Sequence, residues 1–529
     1  MTGTLLTHAR IHTLDGRQPV ATALAIEGGR VVAVGTTGQL LSEFADRLEV
    51  EDMHGRVLLP GLTDAHLHLQ MFALGLEMVD CETATRAECL RRIAERARRT
   101  PPREWILGRN YNQNAWPEGP GTAADLDAAA PENPVYIGHK SYHAGWANHL
   151  ALESAGVGAC TPDPQGGRLG RAPDGSLDGI LYESAMELVE DHIPQPSIDR
   201  IAQALRHAQK ALWEVGLTGV HDFDRGECLS ALQLLHAAGE LKLRVLKSIP
   251  LEDLPLAAGL GLRTGFGDDM LRIGPVKAFM DGALGPQTAS MLEPFEGSQD
   301  CGILMMDSGE LEGHARLAAE KGLSMAVHAI GDRANREVLD AYERLRRYER
   351  EQLGGSGLRH RIEHVQLLHP EDAGRLAELN IIASMQPLHA TSDMVIADRY
   401  WGKRASLSYA LRTQLRAGAH AAFGSDAPVE VPNPFLGLHA AVTRRRADGS
   451  PGDEGWYPEQ RLSVAEALHG FTAGAAYAAG MEDRLGRLAP GCLADLIVLD
   501  RDPFACEPHE LQAIRPLRTM VGGAWVFCR

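Results

Sequence analysis

The chain carries little that would tie it to nucleic acid, to a membrane or to a disulfide scaffold. Its formal charge at pH 7 is −18, from 52 Lys+Arg against 70 Asp+Glu. Nucleic acids and anionic membrane surfaces select basic faces, so neither is expected as a partner. The 8 cysteines are scattered and form no Cys-x-x-Cys pair. That spacing offers neither a zinc ribbon nor a redox motif. Reduced thiols in a cytoplasm are the simplest reading for a chain too large to need disulfide staples. The opening Met1-Thr2-Gly3-Thr4-Leu5-Leu6-Thr7-His8 has no basic region ahead of an apolar core, so no signal peptide is expected. No apolar run reaches the ~20 residues that span a bilayer.

What is present is ordinary for a globular protein: 44% hydrophobic and 23% charged residues. At 529 residues the chain exceeds one ordinary core, which predicts a large domain and a smaller one. Residues 4–59 read as short strands with turns at Asp15-Gly16 and Gly28-Gly29. The segment from about 484 to 529 has the same texture, with Ala494-Asp495-Leu496-Ile497-Val498-Leu499-Asp500 as its clearest strand. Residues 1–59 and 484–529 are therefore expected to form one small β-sandwich built from both termini, which often lie close together.

The stretch 60–483 alternates strand-like and helix-like pieces. Strands ending at Met280, His328, His364, Gln386 and Asp426 are separated by helical patterns near 308–321, 332–350 and 370–379. Such alternation predicts parallel β/α units, and a (β/α)₈ barrel places its functional groups at strand C-termini. His328 and His364 are 36 residues apart, about one unit of a ~250-residue barrel. The interval from His68 to Lys277 is longer than three units require. An irregular inserted subdomain is expected at about 75–200, rich in Trp, Tyr, Pro and Gly, as a lid or substrate wall. The Arg-rich stretch Glu88 to Arg99 reads as a solvated helix face.

Val57-Leu58-Leu59-Pro60-Gly61-Leu62-Thr63-Asp64-Ala65-His66-Leu67-His68 focuses the chemistry. On an extended segment His66 and His68 point to one side, and two imidazoles there can hold one metal ion. Lys277, His328, His364 and Asp426 stand at other strand ends. Together these segments resemble the amidohydrolase superfamily, more narrowly the amidohydrolase 3 or YtcJ-like family, which includes N-substituted formamide deformylases. The resemblance rests on Leu59-Pro60-Gly61-Leu62-x-Asp64-x-His66-x-His68, Val276-Lys277-x-x-x-Asp281-Gly282, Val327-His328-Ala329-Ile330-Gly331-Asp332, Ile362-Glu363-His364 and Phe423-Gly424-Ser425-Asp426-Ala427-Pro428.

Four histidines and an aspartate suit one or two divalent ions, zinc first among them. The resemblance implies that Lys277 is carboxylated by CO₂ to a carbamate that bridges two metals. The alternative for Lys277 is an ion pair with Asp281. Asp426 is expected to be both ligand and proton shuttle. His139-x-x-Tyr142-His143-x-x-Trp146-x-Asn148 resembles the family's insertion motif, and His143, Trp146 and His389 are candidate substrate contacts. His221-Asp222 reads as an ordinary hydrogen-bonded pair. His149 and Pro286-Gln287 depart from the Ser and Ser-Arg of relatives, so no relative's substrate transfers directly.

The expected activity is hydrolysis of a carbon–nitrogen bond in a small non-peptide amide by metal-activated hydroxide, with an N-substituted formamide as one candidate. A cyclic amide, a deamination substrate or an ester would suit the same machinery. A non-catalytic binding or regulatory protein on the barrel is the rival of another class. A homodimer is an assembly the sequence allows.

Overall fold

A computed structural model describes residues 3–113, 116–140, 144–355 and 357–529. Eight parallel strands form the central sheet in simple sequential order. They are β1 (Leu62–Leu67), β2 (Leu217–Asp222), β3 (Arg244–Pro250), β4 (Leu271–Phe279), β5 (Met325–Ala329), β6 (Arg361–His364), β7 (Ile382–Met385) and β8 (Ala421–Phe423). Most are buried on both faces, as parallel strands covered by helices must be. Helices Ser308–Glu320 and Asp332–Gln352 follow β4 and β5. After β6 the expected helix is shorter: a 3₁₀ turn at Pro370–Asp372 and one turn at Arg375–Glu378.

The sheet closes on itself between β8 and β1. Asp426 N–H donates to His66 O at 2.7 Å, and His68 N–H donates to Ala427 O at 2.8 Å. Leu67 and Ala427 form a parallel bridge. The approach is so close that a Cβ on Gly424 would lie 2.5 Å from His66 N; a side chain there would force the seam apart. The result is a (β/α)₈ barrel with an additional β region.

That β region takes strands from both ends of the chain. A four-stranded sheet holds Arg30–Gly35, Ala23–Glu27, Thr4–Thr7 and Glu49–Asp52 in that order. A six-stranded sheet runs Ala524–Cys528, Pro516–Val521, Leu496–Leu499, Val57–Pro60, Arg10–His12 and Val20–Ala21. Leu496–Leu499 pairs antiparallel with Val57–Pro60. Leu6, Leu24, Leu58, Leu496, Val498 and Met520 share one core. Gly28 and Gly29, at φ +57° and +77°, make the tight turn of a hairpin. One helix, Thr37–Phe44, was not expected among these strands. Thr36 caps it, and Leu40 and Phe44, one turn apart, bury against Leu5 and Ala25.

A buried ion pair fastens this region to the start of β3. Arg244 Nε and Nη2 donate to Asp495 at 2.5 and 2.7 Å. Removing one partner of such a pair costs about 3–5 kcal/mol.

Residues 73–204 form a second compact unit, and it is ordered where the sequence suggested irregularity. Its six-stranded mixed sheet runs Gly167–Arg171, Leu177–Glu183, Ala144–Ala147, Val135–His139, Ile106–Tyr111, Val79–Asp80. Tyr111 and Trp116, expected in irregular structure, belong to its core, where they pack with Trp146. The Arg-rich stretch is helix Arg86–Ala97, whose arginines pair with Glu88 and Glu95 at helical spacing.

Deletion of residues 490–529 removes the antiparallel partner of Val57–Pro60 and Ala494, Leu496, Val498 and Met520 from the shared core. Hydrogen exchange should then show lost protection in strands 10–12 and 57–60. Full protection retained in both would refute their dependence on the C-terminal strands.

Candidate metal centre

Asp64 builds the seam on which the site rests. Its Oδ1 accepts from the backbone N–H of His66 at 3.1 Å and of Ser425 at 3.0 Å, and its Oδ2 accepts from Ser425 Oγ at 2.5 Å. Residues at opposite ends of the barrel sequence are thereby fixed beside each other. His364 and Asp426 both adopt left-handed backbone, at φ +75° and +61°. Non-glycine residues hold that conformation only when their surroundings impose it, commonly at functional sites.

The histidines converge. Ring centroids of His66 lie 5.8 Å from His68 and 4.9 Å from His364, and His328 lies 4.6 Å from His364. Asp426 Oδ1 sits 3.4 Å from His66 Nε2 and 3.5 Å from His68 Nε2. Its Oδ2 sits 3.8 Å from His389 Nε2. Two sets of donor atoms each gather within 4.8 Å: His66, His68, Asp426 and His364, His389, Asp426.

Each imidazole is oriented by a partner on its far side. His66 Nδ1 donates to Glu363 Oε2 at 2.6 Å, and His364 Nδ1 donates to Gln386 Oε1 at 2.8 Å. His328 Nε2 donates to the Gly282 carbonyl at 2.9 Å. His68 Nδ1 lies 3.5 Å from Asp224 Oδ1. Such contacts fix tautomer and ring direction for metal ligands. They leave Nε2 of His66 and His364 and Nδ1 of His328 as lone-pair nitrogens. His66 Nε2 is buried without a hydrogen-bond partner. An orphaned buried nitrogen facing a carboxylate fits a divalent cation, which this donor set suits by ligand type.

Lys277 is buried. Its Nζ lies 4.8 Å from the ring centroids of both Phe223 and Phe279, and Phe223 stacks on His66 at 4.2 Å. The proposed pairing with Asp281 does not form. Asp281 instead accepts backbone N–H bonds from Ser290, Ile330 and Gly331 at 2.8, 3.0 and 2.8 Å, and so anchors the loop after β4. Among the described residues no carboxylate pairs with Lys277.

The electrostatics follow from burial. Burial lowers the Lys277 pKa to about 8, with Glu363 and Asp426 opposing. Burial, then the Lys277 charge, lowers His66 to about 4 and His328 to about 3. Burial, then His328, pushes His364 well down. These three imidazoles are therefore neutral, the ligand form. His68 differs: burial disfavours its charge, but hydrogen bonds to Asp224 and Asp426 raise its pKa to about 9. Burial would raise Asp426, yet His68, His66 and His364 hold its carboxyl well below the usual range. Burial likewise disfavours the Glu363 carboxylate, and Arg361 and His66 override it.

Of the expected substrate contacts, His389 lies by the site, on helix Pro387–Trp401. Trp146 does not qualify: it is 0% exposed, and its indole N–H donates to Thr122 O at 3.0 Å. Its place in a packed aromatic core overrides the motif reading. His143 lies outside the described residues. His149 is surface-placed and bonded to Asp127. His221 and Asp222 are hydrogen-bonded, but not to each other. Alternation along β2 turns His221 to Arg361 at 3.0 Å and Asp222 to Lys247 at 3.0 Å. The Lys247 ammonium already serves as the cation beside the Asp222, Asp224, Cys228 group.

Asp64, Glu363, Asp224 and Gln386 were not assigned roles from sequence. Asp64 and Glu363 stood inside quoted motifs, where the signal was a carboxylate two residues, or one, before a histidine. Asp224 and Gln386 had no sequence signal.

Comparison with known proteins agrees with this geometry. The sequence profile of the amidohydrolase family matches residues 49–527. Protein LONG AFTER FAR-RED 3 of Arabidopsis thaliana is 32% identical, over 99% of this chain and 91% of its own length. N-substituted formamide deformylase of Arthrobacter pascens is 30% identical, over 98% and 97%. A solved structure titled an uncharacterized metal-dependent hydrolase from Pyrococcus horikoshii superposes with TM-score 0.80 at 28% identity, covering 96% of this chain and 99% of that one.

A histidine whose pKa is raised holds its proton until the pH passes that value, so at pH 7 a cation must displace a proton from His68. Zinc loading of metal-free protein should release about one proton from this position. Calorimetry in buffers of different ionisation enthalpy reads the release, and His68→Asn should lower it. Equal release from both proteins would show that His68 is not displaced.

Proposed function

We propose that this chain, which belongs to the amidohydrolase family, is a metal-dependent hydrolase of carbon–nitrogen bonds in a small non-peptide amide. N-substituted formamides are the first substrates to test, from the likeness to a deformylase along nearly the whole chain. One observation carries the reading. The two oxygens of Asp426 face opposite ways, Oδ1 to the His66 and His68 nitrogens and Oδ2 to His389.

His66, His68, Lys277, His328, His364 and Asp426 would hold the metal, zinc as one or two ions. When bound, it supplies Lewis-acid polarisation of a carbonyl and acidification of a water. Asp426 is kept ionised by its histidines, so it can accept a proton from the attacking water and pass it to the leaving amine. His389 is oriented by Gln366, whose Nε2 lies 3.4 Å from His389 Nδ1. Nδ1 then acts as acceptor, and Nε2–H is presented to the site as a donor for a developing oxyanion.

Lys277 works in this scheme as a carbamate. Its amine is buried, burial lowers its pKa to about 8 so that it gives up its proton more readily than a free lysine, and no carboxylate pairs with it among the described residues. The neutral amine is the form that adds CO₂. As a carbamate, Lys277 supplies a second anion beside Asp426 in a site otherwise made of imidazoles.

The purified protein should carry zinc or a related divalent ion and turn over members of a panel of N-substituted formamides, other linear and cyclic amides, and esters. Bound metal with no turnover of any C–N substrate would overturn the amidase reading. Lys277→Ala should lose metal and activity together, with partial recovery in bicarbonate plus a short carboxylic acid. Native mass spectrometry that finds unmodified Lys277 in fully metal-loaded, active protein would sink the carbamate. Asp426→Asn should lower kcat by about 10²–10⁴; a kcat within tenfold of the parent would remove Asp426 from proton transfer.

A further inference from the structure

The opposite, N-terminal end of the barrel contains a narrow cavity of about 30 Å³ that the proposed reaction does not use. It is lined by the starts of four strands (Thr63, Thr218, Arg244 and Arg272) and by the segment leading to the last β region, including Arg487 and Asp495. The space is about that of two waters or one small ion.

Its cationic groups are unequally satisfied. Arg244 is paired with Asp495. Asp269, also on the wall, is paired with Arg484 at 2.6 Å and Arg30 at 3.4 Å. Arg272 and Arg487 make no hydrogen bond or ion pair among the described residues, and the Nε of each is buried and unpartnered. Arg484 repels Arg272, while Asp269, Asp268 and Asp483 attract it. The two carboxylates on the wall are thus already paired with other guanidiniums, and Arg272 and Arg487, each partly exposed, keep a buried Nε–H without a partner. A buried guanidinium Nε–H left unmade is costly.

Local backbone holds this arrangement open. Gly486 stands at φ +83°, and a Cβ there would lie 2.6 Å from Ala473 Cα. The chain is pressed against its neighbour one residue before Arg487. Arg272 sits at the start of β4, the strand whose other end bears Lys277. The cavity and the candidate metal centre are therefore at opposite ends of the same strands.

We propose that Arg272 and Arg487 bind a small oxyanion of the carboxylate class in this cavity, bridging the barrel floor and the C-terminal segment. A guanidinium fork matches a planar carboxylate better than a spherical ion, and the narrow cavity suits a small acid. The bound ion would act on stability, because it links two layers of the fold.

The test uses metal-loaded protein and sodium formate as probe, with sodium chloride at matched ionic strength. Equilibrium dialysis of radiolabelled formate should show a site that Arg487→Gln and Arg272→Gln each weaken by about tenfold or more. Thermal unfolding should show a saturating rise in Tm with formate that both variants lose. Metal content of both variants should equal that of the parent, which separates this site from formate bound at the metal. Formate binding unchanged in both variants would overturn the proposal. So would a Tm rise that is linear in salt, or equal for chloride and formate. If Arg272→Gln does not fold, Arg487→Gln and the dialysis stoichiometry on the parent protein decide alone.

Discussion

The closure of the barrel between its first and last strands is the constraint on which the site depends. Asp64 accepts two hydrogen bonds from Ser425 across that seam and a third from His66 on its own strand. Asp426 and His68 exchange backbone bonds with His66 and Ala427 in the same place. A buried carboxylate with this many donors is a rigid clamp, because loosening it leaves polar groups unpaired in the interior. Gly424 is the steric counterpart: only the absence of a Cβ lets the two chains approach. Residues more than 350 positions apart therefore meet with their side chains already aimed.

Around that clamp the site is organised by charge. Burial keeps His66, His328 and His364 neutral, and the nearby Lys277 amine reinforces this for His66 and His328. Beneath them Arg361 and Glu363, two residues apart on one face of β6, form a buried pair at 2.5 Å. Glu363 passes the effect on by holding His66. Arg361 also reaches the Ala65 carbonyl at 3.1 Å and His221 at 3.0 Å. The barrel interior under the candidate metal centre is thus a polar network in which most members have partners, which favours one arrangement of the imidazoles over many.

The two ends of the barrel answer to different demands. At the strand C-termini, lone-pair nitrogens and one ionised carboxylate are gathered with few protein partners. At the N-termini, the strands meet the β region through Arg244 and Asp495, and arginines and aspartates are gathered there together.

The sequence by itself determined the kinds of element and the identity of the main polar residues. Alternating strand and helix patterns define the β/α units, and His66, His68, Lys277, His328, His364 and Asp426 stand out because polar residues at the ends of apolar strands are conspicuous. Trp146 misled because a motif position says nothing about exposure, and the indole proved to be core. The pairing of Lys277 with Asp281 looked plausible at four residues' spacing, yet β4 ends between them and the loop turns Asp281 toward three backbone N–H groups. Only the tertiary structure decided the orienting partners. Asp224, Gln386 and Glu363 act across hydrogen bonds between different strands, and no local period encodes such contacts. The unpartnered arginines at the barrel floor belong to the same class: residues 272 and 487 become neighbours only when the barrel and the C-terminal segment pack together.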